Sequence, residues 1–326
     1  MVLNLPLPAL VAQEETISAL KAQYVRPDDV PYLNENPYSP ERHRLGEALF
    51  FDPRLSGSNA MSCSSCHNPS FAWGDGLDKG IGQGHKPLDR RTPTILNLAW
   101  TDKMMWDGRF SQLEGQALGP IGNEAEMHQD LAQLAEKIKG IPGYAQLFEK
   151  AYPGEKVTNE GIAKAIAIYE RGLVSDKAPF DLWIAGDEDA LTEDAVKGFA
   201  LFNAKARCAL CHSGWRFTDD SFHDIGLTSD DIGRGKYLKL KSQQFAFKVP
   251  TLRNAVERAP YMHDGSQKNL RTVVEFYDRG GDVKRESLSG LMRPLNLTAA
   301  EKKQLLEFLK SLSSNDKPVV FPKLPR

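Results

Sequence analysis

The sequence predicts an all-α chain folded as two similar helical domains, and three observations carry that expectation. All four cysteines fall in two Cys-x-x-Cys-His sites, Cys63/Cys66/His67 and Cys208/Cys211/His212. A Gly-x-Ala-Leu-Phe pentad lies upstream of each, at Gly46–Phe50 and Gly198–Phe202. An amphipathic helix pattern closes each half, while strand-like alternation is scarce.

Taken in order, Ser39 and Pro40 supply the N-cap and first position of a helix that ends in the first pentad and leads into the first Cys-x-x-Cys-His loop. The stretch from Thr158 to Leu173 sets Ile162, Ile166 and Tyr169 on one face and closes the first half. Ser175-Asp-Lys-Ala-Pro179 reads as a linker, with the halves meeting near residues 174–190. This divides the chain into a domain over residues 34–176 and another over 177–326, with residues 1–33 packing as an N-terminal extension. Thr192, followed by acids, N-caps the helix that carries the second pentad. Thr298 to Leu312 opens with a Thr298/Glu301 capping box and aligns Leu305, Phe308, Leu309 and Leu312.

A chain of 326 residues with 41% hydrophobic residues has room for two cores. Its formal charge of −2 argues against an electrostatic grip on nucleic acid or membrane. No run of eighteen apolar residues is present to span a bilayer.

In Cys-x-x-Cys-His the two thiols form thioethers with haem vinyl groups and the histidine reaches the iron. The expectation is therefore two cytochrome c-like domains, each with one covalently bound haem c. A single zinc held by both pairs is the competing reading, but both pairs end in histidine and lie 145 residues apart. Four cysteines are too few to staple a chain of this length as disulfides. Covalent haem attachment in bacteria points to the periplasm. The segment Met1–Ala12 is apolar, lacks a basic start and is broken by two prolines, so it reads poorly as an intact export signal.

From about Leu45 to Leu312 the motifs resemble the bacterial di-haem cytochrome c peroxidase family, including its MauG branch. The resemblance rests on Phe51-Asp-Pro-Arg-Leu-Ser-Gly57, Arg91-Thr-Pro-Thr-Ile-Leu-Asn97, Trp106-Asp-Gly-Arg109, Val249-Pro-Thr-Leu-Arg-Asn254, Ala259-Pro-Tyr-Met-His-Asp-Gly265 and the two haem sites. It implies that His67 and His212 are the proximal iron ligands, with hydrogen peroxide reacting at the N-terminal haem. It implies further that Trp106 relays electrons between the haems and that Gln116 and Glu126 attend the peroxide, with Pro120 in the same distal pocket. Heterolysis needs a group that moves a proton between the peroxide oxygens, which suits Glu126. Alone, Glu126 reads as a solvated carboxylate at a helix start, with Asn123 and Glu124 one turn away, and Trp106 reads as a core aromatic. Arg253 and Arg258 suit either haem propionates or ordinary ion pairs.

Two positions set the subclass. Ordinary members block the first iron with a distal histidine; here Gln83 falls at that place and His85 two residues on, which implies an open iron with His85 in a loop. Tyr277 stands fourteen residues after His263, where those members have methionine. Thioether ligation favours ferrous iron, whereas phenolate favours ferric and higher states, and a tyrosine ligand implies the MauG pattern of two Fe(IV) centres sharing the oxidation. Met262 and Met292 are the fallback thioether ligands. The MauG-type surface tryptophan before the second haem site is Ala206 here, leaving Trp215 as exit point or as packing. The resemblance also implies a calcium ion held by carbonyls of Arg258 and Pro260, although Arg91 replaces the expected asparagine, and a guanidinium repels a cation. The expected function is peroxide-dependent oxidation of a tryptophan or tyrosine on a partner protein. The alternatives are a cytochrome c peroxidase fed by a small redox protein and a di-haem electron carrier.

Overall fold

The computed structural model describes residues 17–326; residues 1–16, which include the apolar start of the expected extension, lie outside the described residues. Helices dominate, and the described strands are two short segments, Phe222–His223 and Phe247–Lys248, paired antiparallel.

Each half is organised on one helix crossing. The Pro40–Phe50 helix, capped by Ser39 Oγ accepting from Arg42 N–H (3.1 Å), packs on the Asn159–Arg171 helix, which Thr158 caps. In the second half the Glu193–Asn203 helix, capped by Thr192, packs on Ala299–Lys310, which opens with the expected Thr298/Glu301 box. The pentad glycines sit at the crossings. A Cβ on Gly46 would lie 1.9 Å from the Ala165 carbonyl oxygen, and one on Gly198 would lie 2.1 Å from that of Gln304. Only glycine permits so close a backbone approach.

Two cores follow. One gathers Leu45, Leu49, Phe50, Trp73, Ile121, Tyr144, Ile162 and Tyr169; the other Phe180, Trp183, Phe199, Phe202, Phe217, Leu305 and Phe308. The chain's outer segments cross over between them. Tyr24, 1% exposed, stacks on Phe217 (5.0 Å between centroids) and donates to Asn203 Oδ1 (2.7 Å), so the upstream segment fills the second core. Near the other end Phe321 packs edge-on against Phe51 (4.9 Å), and the Pro325 carbonyl accepts from Arg54 (2.8 Å) in the first half.

The 175–179 stretch is irregular but is no loose linker. Ser175 is 2% exposed, its N–H donates to Asn97 Oδ1 (3.1 Å), and its hydroxyl accepts from Asn97 Nδ2 (3.1 Å). Asp181, just beyond, forms a buried two-pronged ion pair with Arg253 (2.8 and 2.7 Å). Of the two readings open for Arg253, that pair favours the ion pair. Its guanidinium is held by Asp181 and by the Trp215 carbonyl (2.7 Å), leaving it committed away from a haem propionate.

Candidate haem-binding and redox site

Each Cys-x-x-Cys-His site lies in a tight turn that presents the histidine ring inward. Ser62 caps the helical turn Cys63–Cys66, and none of the four cysteines is in a disulfide. His67 Nδ1 lies 3.2 Å from the Trp73 carbonyl, and His212 Nδ1 lies 2.8 Å from that of Phe217. Burial pushes both imidazoles down, only partly offset by these carbonyls, so the rings are neutral. A neutral ring that donates from Nδ1 keeps the Nε2 lone pair for a metal.

The second half encloses a large cavity, ≈ 1780 Å³ with its mouth included, lined by Cys208, Cys211, His212, Tyr277, Leu305 and Leu309 among others. Met262 and Met292 border it as well, as do Trp106 and Arg91 from the first half. Burial pushes the Tyr277 phenol well up, so a phenolate there requires an adjacent cation. A mostly apolar cavity bearing two thiols, a neutral imidazole and a phenol fits haem c.

A repeat deeper than the pentads relates the halves. Between residues 93 and 122 the first half matches the second at a constant offset of 157 residues. Pro93-Thr94 meets Pro250-Thr251, and the carbonyls of both prolines face the proximal histidines. Thr94 donates to Ala72 O (2.7 Å) as Thr251 does to Arg216 O (2.6 Å). Asn97 and Asn254 both take left-handed φ (60° and 54°), as do Met105 and Met262 (68° and 70°). At this register the Leu113–Gly122 helix aligns with the Leu270–Asp278 helix, and Pro120 aligns with Tyr277. A proline side chain has no atom with which to ligate a metal, so the two halves differ at that position. Sequence reading missed this relation because only scattered identities mark it: Pro-Thr-x-x-Asn at 93–97 and 250–254, and Met-x-Asp-Gly at 105–108 and 262–265.

Gln116 and Pro120 lie one turn apart on the same helix, and Gln116 Nε2 approaches Met105 Sδ (3.6 Å). Glu126 sits in the turn after the helix, not at a helix start. It is half-buried, whereas Asn123 and Glu124 are exposed. Asn123 Nδ2 donates to Glu126 Oε1 (2.7 Å), and burial raises the Glu126 carboxyl despite Arg109 and Asn123. Glu126 is close enough to Cys66 to perturb it, which places the turn beside the first haem loop; no hydrogen bond joins Glu126 to Gln116. The turn is gripped from two sides. Gly57 N–H donates to Met127 O (2.9 Å), and Gln83 N–H donates to Ala125 O (3.0 Å). A Cβ on Gly82 would lie 1.9 Å from that same Ala125 oxygen. His85 is exposed at the tip of this pinned loop, with φ 60°.

Trp106 joins the halves. Its Nε1 donates to Arg91 O (2.8 Å), its carbonyl accepts from Lys248 N–H (2.8 Å), and its ring meets His263, its own counterpart in the repeat, edge-on at 6.4 Å. Next to it Asp107, fully buried, binds Arg90 and Arg109, and Arg90 reaches across to Asp231 (2.6 Å). The Arg91 guanidinium, 4% exposed, donates to the Arg258 carbonyl. That carbonyl is one of the two expected calcium ligands, with that of Pro260, and a cation there would face a buried guanidinium, so this donor set does not fit calcium. Arg258 itself donates to the carbonyls of Thr251 (2.7 Å) and Arg253 (2.8 Å) while bordering the cavity. Ala206 is buried, whereas Trp215 is half-buried and meets Trp100 of the first half edge-on (4.8 Å).

Comparison with known proteins identifies the family. Residues 40–189 match the di-haem cytochrome c peroxidase family and residues 195–313 the cytochrome c family. The chain is 47% identical to the methylamine utilization protein MauG of Methylorubrum extorquens, over 96% of this chain and 90% of that protein. It is 33% identical to the cytochrome c551 peroxidase of Pseudomonas aeruginosa, over 92% and 86%. The crystal structure of a MauG-like protein associated with microbial copper homeostasis superposes with a TM-score of 0.83 at 30% identity, covering 97% and 96%. Two cytochrome c-type domains, with a phenol in one and a proline at its counterpart in the other, thus belong to a di-haem oxidoreductase, and the chain is a member of the di-haem cytochrome c peroxidase family in its MauG-like branch.

Proposed function

We propose that the protein is a periplasmic enzyme that uses hydrogen peroxide to oxidise a tryptophan or tyrosine on a partner protein. Cys63/Cys66 and Cys208/Cys211 would hold two haems covalently, with His67 and His212 as proximal ligands and Tyr277 closing the second. When bound, the haems supply the redox-active irons and the exchange of electrons with peroxide.

The chain's own residues do the rest. The Glu126 carboxylate takes the proton from the inner peroxide oxygen and returns it to the outer one as water departs. Burial, by raising this carboxyl, brings its affinity for protons nearer to neutrality, where such a shuttle works in both directions. Gln116, one turn from Pro120, presents an amide to the same pocket. Pro120 keeps that pocket free of a competing ligand. The Trp106 ring, fixed by its bond to Arg91, gives electrons a path between the halves. Trp215, beside the second haem site and in contact with Trp100, provides a route toward the surface.

The observation that carries this reading is the pairing of Tyr277 with Pro120 at one offset, which supports one closed site and one open one. Its test is to add stoichiometric peroxide to the di-ferric protein and follow optical, near-infrared and EPR spectra. Prompt loss of both ferric signals with near-infrared charge-resonance absorption is the expected result. A protein inert to peroxide until one haem has been reduced would overturn it in favour of an ordinary peroxidase.

A further inference from the structure

Among the described residues, Asp52, Asp107, Asp181 and Asp224 are buried acids that each pair with an arginine, and Glu170 is a buried acid that does not. Glu170 lies on the Asn159–Arg171 helix, is 5% exposed, and its Oε2 has no hydrogen-bond partner. The helix crossing identifies what this residue faces. Gly46 touches Ala165 and Tyr169 as Gly198 touches Gln304 and Phe308. Glu170 therefore corresponds to Leu309, and Leu309 lines the haem cavity of the second half. Glu170 also perturbs the Cys63 thiol, which places its charge beside the first haem-attachment loop. One haem domain thus has an apolar wall where the other has a carboxyl.

Charges around Glu170 do not neutralise it. Arg171 follows it on the same helix, but both prongs of that guanidinium hold Glu114 of the Leu113–Gly122 helix (2.6 and 2.8 Å). From the Pro40–Phe50 helix, His43 and Glu47 act on Tyr169. From the Leu131–Lys139 helix, Lys137 is bound to Ser56 O and Gln129 (2.9 and 2.8 Å). Burial accordingly raises the carboxyl to about 8, with Arg171 lowering it and Glu114 raising it further.

We propose that Glu170 is the redox-linked proton acceptor of the N-terminal haem, a proposal that rests on a haem being attached at Cys63 and Cys66. When an external one-electron reductant, dithionite in the test below, reduces a haem bound there, the Glu170 carboxylate would take up one proton from solvent at Oε2. When the electron leaves, the proton is released. The ionised carboxylate favours the more positive, oxidised haem, so the reduction potential falls as pH rises through the carboxyl's titration. Glu170 is a positioning charge in this scheme and never meets peroxide.

The test is a redox titration of the holoprotein at several pH values, with dithionite as reductant and dye mediators, after mass spectrometry has counted the haems. The wild-type first haem should lose up to tenfold in its reduction equilibrium per pH unit, about 59 mV for one electron, near and below pH 8. Glu170→Gln should flatten that slope, and Glu170→Leu, which copies the Leu309 wall, should do the same if the glutamine variant folds poorly. A reduced-minus-oxidised infrared spectrum should show a protonated-carboxyl band that Glu170→Gln removes. Two haems with the slope and the band intact in Glu170→Gln would overturn the proposal, as would a slope lost instead in Glu126→Gln. A single haem, or none at Cys63, would overturn the underlying haem assignment instead.

Discussion

Gly82→Ala tests how the peroxide-side acid is held in place. The new Cβ would lie 1.9 Å from the Ala125 carbonyl oxygen and 2.9 Å from Leu88 Cδ2. Carbon–oxygen contacts settle near 3.3 Å, so roughly 1.4 Å of movement is needed. The loop cannot take it all, because Gln83 N–H is bonded to the same Ala125 oxygen. Gly57 braces the turn from the other side through Met127, so the displacement passes into the residue between them, Glu126. Misplacing a catalytic group by about 1 Å can cost on the order of 100-fold in rate. The expected outcome is a fall of about that size in the second-order rate of peroxide consumption, read by stopped-flow at the Soret band, with haem content and the reduced spectra unchanged. Wild-type kinetics in a folded Gly82→Ala protein would refute the idea that this loop positions Glu126.

Further outcomes follow from the same geometry. Glu126→Gln should slow the peroxide reaction about 10²–10⁴-fold; in the wild type the rate should rise with pH through a carboxyl lying above the ordinary range, and a flat profile would exclude Glu126 as base. Tyr277→Met should abolish the near-infrared absorption that follows peroxide while leaving both haems attached; its survival would show that Tyr277 is not the ligand. Chelator and added calcium should both leave the thermal midpoint unchanged, whereas Arg91→Ala, which strips a charged donor from the Arg258 carbonyl, should cost about 1.5–3 kcal/mol in denaturant titrations. Burial acts on Glu114 to raise its carboxyl, but Arg171 and Asn36 together outweigh it and hold it low. Its stabilising contribution is therefore complete above the unfolded value of about 4.3 and is lost as pH falls through the lower folded value, so Glu114→Gln should flatten acid unfolding there.

Features written in short stretches of sequence were legible. The caps at Ser39, Thr158, Thr192 and Thr298 announce their helices because each side chain answers a backbone N–H only two or three residues away. The haem loops were equally plain, since every cysteine belongs to one. That Ser175–Pro179 would be buried was not legible, because small and polar residues suggest a linker while the burial depends on Asn97, far away in sequence. Arg253 stayed open between two readings for a similar reason: its partner Asp181 lies 72 residues upstream. Glu170 was invisible as a site because a glutamate at helical spacing next to an arginine looks like a surface pair. Only the helix crossing shows that Arg171 turns to Glu114 instead.

The crossed ends have a consequence for how the molecule comes apart. Tyr24 completes the core of the second half, and Phe321 and Pro325 cover the first. A protease cut near residue 176 would sever the covalent link between the halves without releasing either. Each fragment would still be buttoned into the other by its far end, and neither half expressed alone would possess a finished core. The two domains should therefore melt as one cooperative unit despite their repeat ancestry.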